Sequence, residues 1–280
     1  MTVCIAAECV YEGHRGIVMC CDWQGTKGGY IKSDDMDKMR WVDKATVMMA
    51  GTPTSADELV FACKPTIREF TSKTDSSRSD LDVDEYIQRL RTSAEFIKQR
   101  RVDNYLGSLL GFPAATFWAE GKNRLSEAQH DAVIQQVFKI GLDATLLIGS
   151  IDAEDEPVIM RIDDKGQVHW EDNFSVIGSG GPIAEAFLHQ YEWDDTPSLQ
   201  ECLFRVYSAK VASEKSPTVG ETTSFEIHLQ RRRFDLSDES FGYLKQRVVP
   251  RVPKLKFPTA FLEERVFGSL AMNLFMRLEA

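Results

Sequence analysis

No stretch of the chain approaches the roughly 18 consecutive apolar residues of a membrane-spanning helix, so no membrane contact is expected. The opening Met1 to Val10 has neither the basic segment nor the continuous apolar core of a secretory signal, and a mature N-terminus in the cytoplasm is expected. Basic charge is also short. The 33 Lys and Arg residues face 43 Asp and Glu, for a formal charge of -10, whereas a nucleic-acid binder gathers a basic excess on one face. The one dense basic run, Arg231-Arg232-Arg233, reads as a solvated turn after a strand. The six cysteines (Cys4, Cys9, Cys20, Cys21, Cys63, Cys202) form no C-x-x-C pair and have no His at zinc-finger spacing. The five histidines are scattered without an H-E-x-x-H pattern, so no metal site is expected. Reduced core thiols are the reading.

What is present is enough apolar residue, 43% over 280 positions, to build one large or two small globular domains. Thr2 to Val10 and Gly16 to Asp22 read as strands around a "YEGHRG" turn, followed by short strands at Met39 to Val42 and Thr46 to Ala50. Helical spacing then takes over in "TPTSADELVFACKPTIREF" and in "DVDEYIQRLRTSAEFIKQRRVDNYLGSLL". In the second, Ile87, Leu90, Ala94 and Ile97 recur on one face, and Asp82 with Glu85 forms a capping-box pattern. A third helical stretch opens with Ser126 and Gln129, also at capping-box spacing. Strands return in "ATLLIGSI", "PVIMRID", "QVHWED" and "FSVI". They are followed by helical "GPIAEAFLHQYEW" and "SLQECLFRVYSAKVASEK" and by a last alternating strand, "TSFEIHLQ". Strands and helices come in groups, which predicts antiparallel sheets covered by helices, an α+β class.

Beyond Arg231 the composition shifts. Pro250, Pro253 and Pro258 precede an amphipathic stretch in which Leu262, Val266, Phe267, Leu270, Leu274 and Phe275 share a stripe. The expected organisation is therefore a domain over 1–230 and a C-terminal extension over 231–280 ending in an amphipathic helix. That helix would dock on its own domain or on a neighbouring subunit.

Initiator Met is removed when the next residue is as small as Thr, so Thr2 would carry a free α-amine beside its hydroxyl. An α-amine has an ordinary pKa of about 7.7 to 8.0 and can serve as general base for the hydroxyl. The hydroxyl needs a cation nearby, and the cation needs an anion to hold it. Asp22, at the end of a strand, and Lys38, sixteen residues later, offer such a pair, although most Asp and Lys pairs are surface ion pairs. Cys4 competes poorly as nucleophile, because it lies inside the first strand and its nitrogen is an amide. The run Gly178-Ser179-Gly180-Gly181 before a helix would suit a phosphate, but the Walker lysine pattern is absent.

In "DWQGTKGGYIKSDDMDKM", Asp22, Thr26, Gly28 and Lys38 stand at the spacing found in proteasome β-type subunits and HslV-type peptidases. "VMMAGT" is similar to that family's strand ending in Met-Ala-Gly, and "VIGSGGPIAEAFL" to its helix entry. With "TVCIAA" at the start, these matches keep the family's order over about 230 residues, and the chain resembles N-terminal-nucleophile hydrolases of the proteasome β, HslV and ancestral β-subunit (Anbu) group.

The resemblance implies a four-layer αββα sandwich and a threonine-type peptidase acting on peptide or protein substrates without metal or organic cofactor. It implies Thr2 as nucleophile and base, Lys38 lowering the proton affinity of the hydroxyl, and Asp22 holding Lys38. The Gly51 N–H would face the oxyanion, a contribution worth about 3 kcal/mol of barrier when one donor is removed. Ser179 would orient the amine, and Thr26, Gly28 and Met49 would bind substrate. The family carries an Asp and a Ser before its last strand, where this chain has Ser216 and Val219; Ser216 or Thr218 would stand in as auxiliary groups. The oxyanion strand's second Gly is Thr52 here. A homo-oligomer that encloses its sites, as a ring or other self-compartmentalised assembly, is implied, while an unfoldase partner is not assigned. Two other functions fit the same residues: an amidohydrolase or acylase acting on small amides, and a non-catalytic assembly subunit whose N-terminus stays blocked.

Overall fold

The computed structural model describes residues 2–248 except 24, 28–30, 34–36, 73–82, 153, 194, 217, 218 and 237, with backbone only at 25–27, 31–33, 72 and 238. The C-terminal stretch 249–280, with its expected amphipathic helix, and Asp82 lie outside the described residues.

The chain begins with strands β1 (Cys4–Tyr11), β2 (His14–Asp22), β3 (Gly25–Lys27), β4 (Ile31–Ser33), β5 (Met39–Val42) and β6 (Ala45–Gly51). Helices α1 (Pro53–Ser72), α2 (Val83–Leu110), α3 (Ala114–Arg124) and α4 (Glu127–Val137) follow. Strands resume as β7 (Ala144–Ile151), β8 (Pro157–Ile162), β9 (Val168–Glu171) and β10 (Phe174–Ile177), then α5 (Gly181–Leu188) and α6 (Leu199–Ser213). The described part closes with β11 (Thr223–Leu229), β12 (Arg232–Asp235) and α7 (Asp238–Val248).

Two five-stranded antiparallel sheets carry the fold, ordered β10-β1-β2-β11-β12 and β5-β6-β7-β8-β9, with β3-β4 as a separate hairpin. Strands adjacent in sequence pair through tight turns. Glu12 and Gly13 take left-handed φ values of 51° and 84° between β1 and β2, and Gln230 and Arg231 take 49° and 57° between β11 and β12. Two left-handed residues in a two-residue loop match the twist of the strands they join.

Strand alternation divides the core. Val3, just before β1, and Ile5, Ala7, Val18 and Cys20 of β1 and β2 pack against Ala184 of α5 and Val206 and Tyr207 of α6. Their neighbours Cys4, Ala6, Ile17, Met19 and Cys21 meet Met48, Ala50, Leu147 and Ile159 of the second sheet. On the far side of that sheet, Val47, Met49, Leu146 and Ile148 pack on Leu59 and Cys63 of α1 and on Leu90, Ala94 and Ile97 of α2. Each sheet thus buries one face against the other sheet and one against helices, as the period of two requires.

A polar cluster joins the sheets inside this apolar surround. The buried Glu226 of β11 accepts from His228 Nε2 at 2.7 Å, from Trp41 Nε1 at 2.9 Å and from the Thr46 hydroxyl. Burial alone would raise the Glu226 carboxyl, but these hydrogen bonds and the charge of His228 outweigh it and hold the group below its ordinary value.

A separate helix, α3, precedes the one that Ser126 opens, and both pack on α2 through Leu106, Phe117, Val133 and Val137. The Ser126 N–H does donate to Gln129 Oε1 at 3.1 Å, so that capping box forms. Of the three arginines, Arg231 sits in the turn, while Arg232 and Arg233 lie in β12 and the Arg233 guanidinium stacks 3.7 Å from the Trp41 ring. β12 continues the first sheet, and Leu236, Phe241, Leu244 and Val248 pack on its helical side. No helix among the described residues is long and apolar enough to cross a membrane.

Candidate active site

The β1-β2 hairpin sets the first contacts. Its register pairs Cys4 with Cys21, which brings Thr2 and Val3 opposite Asp22 at the open end. Asp22 N–H donates to Val3 O at 3.2 Å, and Val3 N–H donates to Asp22 Oδ1 at 2.9 Å. The same Oδ1 accepts the Thr2 hydroxyl at 2.6 Å and Lys38 Nζ at 2.8 Å, while Oδ2 accepts Gly220 N–H at 3.0 Å. Asp22 is fully buried, and Thr2 and Lys38 are 3% and 5% exposed. A buried carboxylate survives only when its lone pairs are taken by donors, and four donors here include a full positive charge.

Lys38 stands just before β5, and its carbonyl accepts Met49 N–H at 3.0 Å, so the β5-β6 hairpin fixes the backbone from which its side chain reaches Asp22. Further along β6, Thr52 N–H donates to Asp143 O at 2.8 Å, which makes Gly51 and Ala144 a non-hydrogen-bonded pair. Antiparallel alternation therefore turns the Gly51 N–H away from β7, toward the side of β6 on which Lys38 lies. Gly51 has φ +110°, and a Cβ there would stand 2.4 Å from Asp143 O. Only glycine suits that position.

The turn from β10 into α5 supplies the other wall. Cys4 pairs with Ile177, so residues 178–180 pass beside Thr2. Thr2 N–H donates to Ser179 Oγ at 3.2 Å, and Gly180 N–H donates back to Thr2 O at 3.0 Å. Gly178 has φ +96°, and a Cβ there would lie 2.3 Å from Thr2 O. Thr2 is thus held from two sides, its nitrogen and carbonyl by the 178–180 turn and its hydroxyl by Asp22.

Of the residues singled out in the sequence, Thr2, Asp22, Lys38 and Ser179 come together in one hydrogen-bonded cluster, and Gly51 aims its N–H to their side of β6. The Met49 side chain is 7% exposed and lies in the core among the α1 and α2 residues. Thr26 lies on β3 opposite Lys32. Gly28 and Thr218 fall outside the described residues. Ser216 closes the turn after α6, its N–H donating to Ser213 O at 2.9 Å and its carbonyl accepting Val219 N–H at 3.1 Å.

Sequence reasoning missed the backbone donors of Val3 and Gly220. Position matters there rather than side chain, so residue type gives no signal for Val3. A glycine between α6 and β11 was the one available clue for Gly220.

The nearby thiols offer no competing nucleophile. All six cysteines are buried and free. A hydrogen bond with Cys4, reinforced by burial, pushes the Cys21 thiol well up, and burial does the same to Cys20. Among the described residues no group of three or more His, Cys, Asp or Glu side chains could hold a metal ion. Comparison of the chain with protein-family models gives no match, and comparison with curated proteins gives none either.

Proposed function

We propose that the chain is an N-terminal-nucleophile hydrolase related to the proteasome β, HslV and ancestral β-subunit group, folded as their αββα sandwich, and that it hydrolyses peptide bonds through Thr2. The observation that carries this reading is the meeting of the Thr2 hydroxyl and Lys38 Nζ on one oxygen of the buried Asp22, with Ser179 on the Thr2 nitrogen. Helix, sheet, sheet and helix packing through three apolar clusters supports the fold part.

The chemistry requires Met1 to leave, which converts the Thr2 nitrogen from amide to amine. The amine takes the hydroxyl proton, and Oγ1 attacks the substrate carbonyl. Negative charge develops on the carbonyl oxygen, where the Gly51 N–H is placed to donate. Collapse expels the leaving amine with the proton and leaves an acyl ester on Thr2; water, deprotonated by the same amine, then releases the acid. Asp22 keeps Lys38 Nζ next to the reacting oxygen.

The 3% exposure of Thr2 favours a second reading, a non-catalytic assembly subunit that retains Met1. One experiment separates the two. Intact mass is measured before and after incubation with a peptide epoxyketone, which closes a ring with both the amine and the hydroxyl of an N-terminal Thr. Loss of Met1 and a single adduct, absent in Thr2→Ala, is the expected result. Retained Met1 with no adduct would overturn the peptidase reading.

A further inference from the structure

The helix beneath the Gly220 loop carries a lysine that the proposed chemistry does not use. Lys210 of α6 is fully buried. Its Nζ donates to Glu221 O at 2.8 Å and pairs with the Glu214 carboxylate one turn along the helix. The adjacent residue of that loop, Gly220, donates its N–H to Asp22 Oδ2 at 3.0 Å. The carbonyl of Lys210 accepts the Ser213 hydroxyl at 2.6 Å, which ties the end of α6 to itself. The loop is therefore gripped on one side by Lys210 and on the other by Asp22.

We infer that Lys210 is a positioning residue for Asp22: it fixes the 219–221 backbone so that the Gly220 N–H occupies Oδ2 and leaves Oδ1 to Thr2, Val3 and Lys38. A lysine suits the role because the Glu221 carbonyl lies beyond the end of α6, within reach of a long side chain that has donors for both it and Glu214. Burying that charge requires an anion, and Glu214 provides it. Without Lys210 the Glu221 carbonyl loses a buried donor and the loop gains freedom. Asp22 then loses the Gly220 contact on Oδ2 that opposes its Oδ1 contacts, and the oxygen shared by Thr2 and Lys38 shifts with the carboxylate. A shift of that size at a catalytic anion acts on the rate of the chemical step more than on substrate binding.

The test has an arm that does not depend on hydrolysis. In full-length protein labelled with 15N-glycine, amide exchange is followed at Gly220, assigned through Gly220→Ala, with Gly149 inside β7 as internal reference. In Lys210→Met, and in the milder Glu214→Gln, Gly220 exchange is expected to accelerate about tenfold or more while Gly149 does not change. Equal acceleration at both glycines, or none at Gly220, overturns the inference, because a merely structural lysine loosens the sheet as a whole.

The kinetic arm rests on the peptidase reading. On a fluorogenic peptide amide, Lys210→Met is expected to lower kcat roughly 10- to 100-fold with KM changed less than about twofold. A raised KM at unchanged kcat overturns the positioning role. The double variant Lys210→Met, Glu214→Met removes the orphaned carboxylate and should remain slow; full recovery of kcat would mean that Lys210 only neutralises Glu214, against the proposal. Wild-type protein that neither hydrolyses nor labels defeats the peptidase reading, and the exchange arm still decides the role of Lys210.

Discussion

Asp22→Asn is the substitution for which the structure gives the clearest magnitude. Among the described residues the carboxylate accepts three donors on Oδ1 and one on Oδ2, and Lys38, 2.8 Å away, contributes the only full charge among these donors. An amide of the same shape keeps one acceptor oxygen. If that oxygen stays at Oδ1, the new NH2 faces the Gly220 N–H, donor against donor; if it flips, three donors face NH2. Either way a buried lysine loses its counter-charge, a change that typically costs about 3–5 kcal/mol. For a domain of this size 1 kcal/mol moves the melting midpoint by roughly 2–4 °C, so a drop of at least about 6 °C is expected. Thermal melts by circular dichroism at one fixed protein concentration read it, since assembly would make the midpoint concentration-dependent. Lys38→Met leaves the opposite orphan and should lose a similar amount. The double variant Asp22→Asn, Lys38→Met should be more stable than the sum of the two losses by more than about 1 kcal/mol, because neither charge is then stranded. Additive losses, or a loss below about 1 kcal/mol in Asp22→Asn, would refute the view that this pair is one buried unit.

Gly51→Ala places a methyl 2.4 Å from Asp143 O at φ +110°, and should destabilise by roughly 1–3 kcal/mol while lowering kcat, measured by melts and peptide turnover. Glu226→Gln tests the inter-sheet cluster. The folded carboxyl lies below its ordinary 4.5, so its stabilisation is present above that pH and fades as pH falls through the lower folded value. Urea titrations should show Glu226→Gln less stable than wild type at pH 7 and converging with it below about pH 4; a gap that persists in acid would contradict the assignment. Leu59→Ala, at a side chain with no exposure, should cost about 2–5 kcal/mol, whereas Phe61→Ala on the same helix, 78% exposed, should change stability by less than about 0.5 kcal/mol in the same titration. If Thr2 acts through its amine, the rate of epoxyketone adduct formation should rise with pH as the amine loses its proton, and a flat profile would exclude the amine as base.

The part of the site that is legible in the sequence is the part that is local. Thr2, Asp22 and Lys38 lie on two consecutive hairpins, where strand length and turn position fix which residues meet, so spacing alone points to them. Gly51 and Ser179 stand at strand ends whose flanking glycines mark tight backbone. Met49 shows the limit of this reasoning. Alternation says that Met48 and Met49 face opposite ways, but not that the helices cover the Met49 side. Gly220 is invisible for a different reason, since its contribution is an N–H that every non-proline residue owns. In α3, "AATFWAEGKNR" carries a glycine and an exposed Trp118 where a stripe would be sought; a Cβ at Gly121 would stand 3.0 Å from the Phe117 ring and 3.3 Å from the His130 ring of α4. Arg232 and Arg233 read as turn residues because charge suggests solvent, yet an edge strand has one exposed face and a neighbouring Trp41 on which Arg233 can stack.

The groups around Thr2 also bear on what its nitrogen would do once freed. Among the described residues the cluster pairs one anion, Asp22, with one cation, Lys38. Removing Met1 would place a second ionisable nitrogen beside this pair. Ser179 Oγ, on the Thr2 nitrogen at 3.2 Å, is a hydroxyl that accepts from an amine or donates to it, and so suits either state. The neutral amine is the form that takes a proton. In the blocked chain the same groups leave the nitrogen an amide and the hydroxyl committed to Asp22. The step that would turn a structural cluster into a reactive one is therefore the loss of a single residue, with no rearrangement of Asp22 or Lys38.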